Sequence, residues 1–241
     1  MSWLTGFLKS SVGRKFVMAI TGLFLCFFLV IHLSGNLLLY IPGGQVYVDY
    51  AEKLHSNEEF LILAEIFLFA AFALHIVLAF STTKDNLNAR KKSYRVVESK
   101  RKDRAWPIAF APDYMMMITG LIGFAFLVVH IADFKLEWMW TDALAGKSSA
   151  QKVGIILGDS VRSVIYLAGS LALGYHVSHG LQSACQTIGF NHPKYNRGLK
   201  IISIAFGIIV AIGFSSFPII AQLVPGMLDF PDIVDVEVSR H

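Results

Sequence analysis

The chain has 241 residues, of which 55% are hydrophobic and only 16% charged, and its mean hydropathy is +0.57. A soluble domain carries roughly 25% charged residues, so the composition excludes an ordinary water-soluble fold and points to a membrane protein. The net charge of +4 matters less than where the charges lie, and no nucleic-acid partner is expected.

In chain order, Met1–Ser11 comes first, with Trp3, Leu4, Phe7 and Leu8 on one side of a helix, as in a segment lying in the headgroup layer. Arg14 and Lys15 then precede an apolar run over 16–40. It is too long for the core of a signal peptide, and no A-x-A cleavage site follows. Further apolar runs at 60–81, 113–132, 161–189 and 199–224 reach the roughly 20 residues that a crossing needs. The expectation is an all-α integral membrane bundle of five transmembrane helices forming a single domain over 1–241. No internal repeat and no linker stands out.

The connections set the orientation. Lys9, Arg14 and Lys15, the stretch from Lys84 to Arg104, and Lys194, Arg197 and Lys200 hold most of the 21 Lys and Arg, all on one side. Lys53, Lys135, Lys147, Lys152, Arg162 and Arg240 fall on the other. The positive-inside rule puts the N-terminus in the cytoplasm and the acidic tail (Asp229, Asp232, Asp235, Glu237) outside, in a multi-pass protein of the cytoplasmic membrane.

Four of the five runs carry histidines in apolar surroundings: His32, His75, His130, and His176 with His179. Ionisable side chains are expensive in hydrocarbon and mark function by default. At a rise of about 1.5 Å per residue, His32 and His130 each lie roughly 26 Å from the inner edge. His75 and His176 lie about 15 Å from it, so the four form two level pairs roughly 12 Å apart. Four helices with paired imidazoles can hold two haems, each iron taking one pair as axial ligands. Seven residues before His130 stands Gly123, and seven before His176 stands Gly169, each at the depth of the other pair and clearing room for a flat apolar plate. Thr21 and Ala64 are small residues on the matching faces of the first two helices. Close helix packing is the competing explanation for such small residues. His179, one turn deeper than His176, suits a hydrogen bond to a haem propionate or to backbone. Cys26 and Cys185 are expected to be small buried hydrophobes. No Cys-x-x-Cys-His attachment site and no zinc spacing occurs.

Three stretches also resemble a family: GRKFVMAITGL at Gly13–Leu23, HLSGNL at His32–Leu37 and YHVSHGLQS at Tyr175–Ser183. They are similar to the cytochrome b558 subunit of succinate dehydrogenase and fumarate reductase, a five-helix, two-haem membrane anchor, over about Ser11 to Val224. The resemblance implies that His32 and His130 bind the haem near the outside, and His75 and His176 the one near the flavoprotein side. It implies two haem b, a flavoprotein partner carrying FAD, an iron–sulfur partner docking on the basic cytoplasmic loops, and menaquinone or another quinone as substrate. Some menaquinol-oxidising members carry a glutamate two residues before the fourth-helix ligand. Gly174 stands there in this chain, which puts that proton path in doubt.

Glu65, ten residues before His75 and thus about 15 Å further out, is the catalytic candidate for proton exchange with a quinone near the outer pair. Glu52 and Asn36 are the other candidates, and a structural pairing of Glu65 with Arg162 is the competing expectation. Two rival functions remain at this point. One is the cytochrome b anchor of a formate dehydrogenase or hydrogenase, disfavoured by the helix count and the H-x-x-H-G motif. The other is a histidine-relay transporter, for which paired helix interruptions would be expected, whereas only Pro218 interrupts a span.

Overall fold

The computed structural model describes residues 5–7, 10–88, 112–228 and 230, and every regular element among them is helical. The helices are α1 (Ser11–Asn36), α2 (Gln45–His55), α3 (Glu58–Asn88), α4 (Pro112–Phe134), α5 (Thr141–Leu144), α6 (Ser149–Gly158), α7 (Ser160–Thr187) and α8 (Pro193–Leu223). A 3-10 turn at Leu37–Tyr40 extends α1. The long helices α1, α3, α4, α7 and α8 match the five apolar runs, while α2, α5 and α6 occupy connections that the apolar pattern leaves as loops. Four of the long helices are apolar and long enough to cross a membrane alone. The least apolar, α7, qualifies together with α6, to which it is joined at 98°.

Local chemistry accounts for these boundaries. Ser10 caps α1 by accepting from the Gly13 amide at 3.0 Å. Ser148 and Gln151 form a reciprocal capping box on α6. Asp159 accepts from the Arg162 amide at 2.8 Å, and this cap starts α7 at the sharp bend. Pro193 begins α8 at its first turn, where a missing amide costs nothing.

The hub is α7, which packs against α8, α4 and α1, while α3 packs mainly on α1. The α7–α8 contact depends on glycine. A Cβ on Gly174 would stand 2.6 Å from the Gly207 carbonyl, so the two backbones approach as only small residues allow. At the end carrying α2 and α6, a core of Leu39, Val48, Val153, Leu157 and Phe217 closes over the bundle. Gln151 Nε2 donates to the Phe230 carbonyl at 3.2 Å, holding the chain after α8 against that core. Gly44, at φ +72°, turns the chain into α2 and receives the Phe230 ring where a Cβ would sit. At the opposite end an Arg14–Asp85 ion pair ties α1 to α3.

Met1–Leu4, Lys9, the basic stretch Arg90–Arg104 and the acidic residues Asp229, Asp232, Asp235 and Glu237 lie outside the described residues.

Gly174→Leu or Gly207→Leu should overpack the α7–α8 contact and cost about 1–3 kcal/mol, read as a lower thermal midpoint in detergent. Gly198→Ala, where a Cβ would meet nothing within 4 Å, should leave that midpoint unchanged or raised.

Candidate functional site

Two pairs of histidines sit between the helices. In the first, α1 supplies His32 and α4 supplies His130, with ring centres 5.8 Å apart and planes at 81°. Phe28 stacks on His32 at 5.3 Å, and Phe214 of α8 lies 5.6 Å from it. His130 is surrounded by Phe126, Phe134 and Tyr166 at 5.9, 5.3 and 5.9 Å. This is an aromatic sleeve, and within it the buried Nδ1 of His130 has no hydrogen-bond partner. Asn36 Nδ2 approaches His32 Nε2 at 3.4 Å.

The second pair comes from two further helices of the bundle, His75 from α3 and His176 from α7, within electrostatic reach of each other. Its surroundings differ. The Thr21 hydroxyl of α1 lies 3.3 Å from His75 Nδ1, and the Thr119 hydroxyl of α4 lies 3.3 Å from His176 Nδ1. A Cβ on Gly22 would stand 3.2 Å from His75 Cε1, and one on Gly120 3.3 Å from His176 Cε1. Each ring therefore rests on a Thr-Gly step of the neighbouring helix.

The spacing of the first pair fits two imidazoles on one metal ion. With metal–imidazole bonds of ~2 Å, two imidazoles on opposite sides of one ion have ring centres about 6 Å apart, close to the spacing of the first pair. Among the described residues no three His, Cys, Asp or Glu side chains gather in one place. Two-ligand sites of this kind suit an iron whose four remaining positions are filled by a porphyrin. A Cβ on Gly123 would meet nothing within 4 Å, so that face of α4 is open. Gly169 is different: the Phe126 ring occupies the space a Cβ would take, and the glycine serves ring packing. His179 lies within electrostatic reach of His176 but has local partners of its own. Its ring stacks on Tyr175 at 4.7 Å, and its Nδ1 lies 2.9 Å from the Ser178 hydroxyl. Gly174 is committed to the contact with α8, where a glutamate side chain has no room.

Glu65 pairs with Lys135, Oε1 to Nζ at 2.5 Å, and both side chains remain partly exposed. Arg162, the alternative partner expected from sequence, pairs with Asp133, Nε to Oδ1 at 3.2 Å. Asp133 is 1% exposed and also accepts from Trp140 Nε1 at 3.0 Å and from the Tyr166 hydroxyl at 3.1 Å. A buried carboxylate with three donors is tolerated because each takes part of its charge. This cluster ties α4 to α7 one turn from His130, and Tyr166 belongs to the sleeve around that ring.

Asp133 is signalled in the sequence by an acid three residues after His130 and an Arg-x-x-x-Tyr step on the next span. Thr21, expected as a small residue making room, has a hydroxyl with a partner on another helix. No internal repeat is expected from the apolar pattern, yet α1 and α4 share one. Met18, Ile20, Thr21, Gly22, Leu23, Phe28, Leu29, Val30 and His32 recur in the same register as Met116, Ile118, Thr119, Gly120, Leu121, Phe126, Leu127, Val128 and His130. Apolar residues dominate every span and mask the match until the two Thr-Gly steps are seen against equivalent histidines. Comparisons of the chain with protein-family models, with curated proteins and with solved structures return no match.

Asp133→Ala should strand the largely buried Arg162 cation and cost about 3–5 kcal/mol, measured by thermal unfolding. Replacing both partners by apolar residues, Asp133→Leu with Arg162→Met, should recover most of that loss.

Proposed function

We propose that this chain is the di-haem cytochrome b subunit that anchors a succinate dehydrogenase or fumarate reductase in the cytoplasmic membrane. In this reading it passes electrons between an iron–sulfur partner and a membrane quinone, menaquinone or another. The observation that carries the proposal is the two histidine pairs, each contributed by two helices and set at two levels of one apolar bundle.

Haem b, when bound, supplies a one-electron carrier at each level. The chain supplies the rest. His32 with His130, and His75 with His176, would each hold one haem iron through two imidazole nitrogens, a ligation that would favour electron transfer over oxygen chemistry. The aromatic sleeve around the first pair excludes water. The N-terminus and the basic connections face the cytoplasm, where they receive the iron–sulfur subunit and, through it, the FAD-bearing flavoprotein. The dicarboxylate chemistry belongs to that flavoprotein. Quinone meets the chain near the first pair, and Glu65, a carboxylate at the same level on α3, exchanges the proton that accompanies each electron.

The test is purification from native membranes with haem, flavin and iron quantified per chain. Two haems per chain and a reduced b-type α-band are expected, and their absence from intact protein would end this reading. His32→Ala and His130→Ala should remove one and the same spectral component, and His75→Ala and His176→Ala the other. His179→Ala should keep both. Glu65→Gln preserves shape and removes the carboxylate, so quinone-coupled turnover should fall at least tenfold with both haems retained. Normal turnover in that variant would move the quinone site elsewhere.

A further inference from the structure

The contacts around the second pair fix which ring nitrogen is free. Thr21 Oγ1 lies within donor distance of two carbonyls of its own helix, Val17 at 3.1 Å and Met18 at 3.0 Å. Thr119 Oγ1 does the same towards Met115 at 2.8 Å and Met116 at 3.4 Å. A hydroxyl has one proton. With that proton turned back to the helix carbonyls, each threonine oxygen can only accept from the histidine beside it. His75 and His176 must then carry hydrogen on Nδ1, which leaves the Nε2 lone pair free. The Met18 and Met116 carbonyls face the same two rings, and a carbonyl can only accept, so they favour the same tautomer.

The first pair has no such arrangement. Among the described residues His130 Nδ1 has no hydrogen-bond partner, and Asn36 lies at His32 Nε2. The repeat shared by α1 and α4 thus places the same device twice, and both copies serve the second pair. Each threonine also neighbours a glycine, Gly22 or Gly120, that lets the imidazole lie against the helix.

We infer that Thr21 and Thr119 are matched positioning residues. They hold His75 and His176 as Nδ1–H imidazoles, present both Nε2 atoms to one metal centre, and raise the basicity of that ligand pair alone. The inference rests on the di-haem reading for the identity of the metal centre, but its tautomer component does not. An acceptor on the distal N–H strengthens an imidazole ligand and favours the oxidised metal. Removing the acceptor should therefore raise the midpoint potential of the haem held by the second pair.

The experiment uses the full chain with Thr21→Val, Thr119→Val and the corresponding Ser variants. Redox titration of the haem-loaded protein should show the component lost in His75→Ala shifted upward in each Val variant, and further in the double variant. The other component should stay in place, and both Ser variants should titrate as wild type. Selective loss of that haem in the Val variants, with retention in the Ser variants, supports the same role. Unchanged potentials in both Val variants, or equal shifts in both components, would overturn it. Nitrogen-15 spectra of histidine-labelled, haem-free chain supply the independent arm. His75 and His176 should be Nδ1–H in the wild type, with their Nδ1 resonances shifted in the Val variants as the threonine acceptor is lost and the Met18 and Met116 carbonyls remain, and Nε2–H in the wild type sinks the inference. A wild-type chain that takes up no haem overturns the di-haem reading, while the tautomer spectra still decide the role of the threonines.

Discussion

A polar group inside an apolar slab must be satisfied by the protein itself, and in this bundle the partner usually comes from another helix. Thr21 of α1 meets His75 of α3, and Thr119 of α4 meets His176 of α7. Asp133 of α4 meets Tyr166 and Arg162 of α7. Each contact selects a neighbour, so satisfying the polar groups also decides which helices lie side by side. Apolar packing alone could not make that selection, because lipid tails are as apolar as leucine.

The same constraint explains α7. It is the least apolar of the long helices, with serines, glycines, two histidines and an arginine, yet it makes the most extensive contacts with other helices. Its polar side chains are answered from α4, α6 and α8: Ser163 donates to the Leu157 carbonyl of α6 at 2.5 Å and accepts from Gln222 Nε2 of α8 at 3.3 Å. Its glycines admit the α8 backbone on one side and the Phe126 ring on the other. By contrast α3, at the edge of the bundle, presents Phe60, Ile66, Phe67 and Val77 outward, as a lipid-facing helix can.

Much of this was legible in the sequence. The five long helices follow from the apolar runs, and their ends agree within a few residues except that caps start α1 and α8 earlier and α3 runs on to Asn88. Ser10 starts α1 before the apolar residues begin, and α8 starts at Pro193. The short helices between spans were not legible, because α2, α5 and α6 are read from capping and from burial against the closed end rather than from hydropathy. The histidines stood out as ionisable groups in hydrocarbon. Their neighbours did not, since Thr21, Thr119 and Gly120 are unremarkable in a membrane helix until a ring from another helix is set beside them. Glu65 was visible, but its partner was not. Lys135 lies just beyond α4, and nothing in the chain order links that position to α3.

The shared register of α1 and α4 bears on how such a chain is made. Threading into the bilayer proceeds from the N-terminus, and the first antiparallel hairpin, α1 with α3, already contains a threonine seat occupied by its histidine. The second hairpin, α4 with α7, contains another. Either half can thus settle in lipid with its deeper imidazole sheltered, before the other half exists. Each half nevertheless carries only one imidazole for each level, so neither can close a two-imidazole site alone. On the di-haem reading proposed above, cofactor capture would wait until both halves have met, and a half-inserted chain would offer no two-imidazole site to a reactive iron.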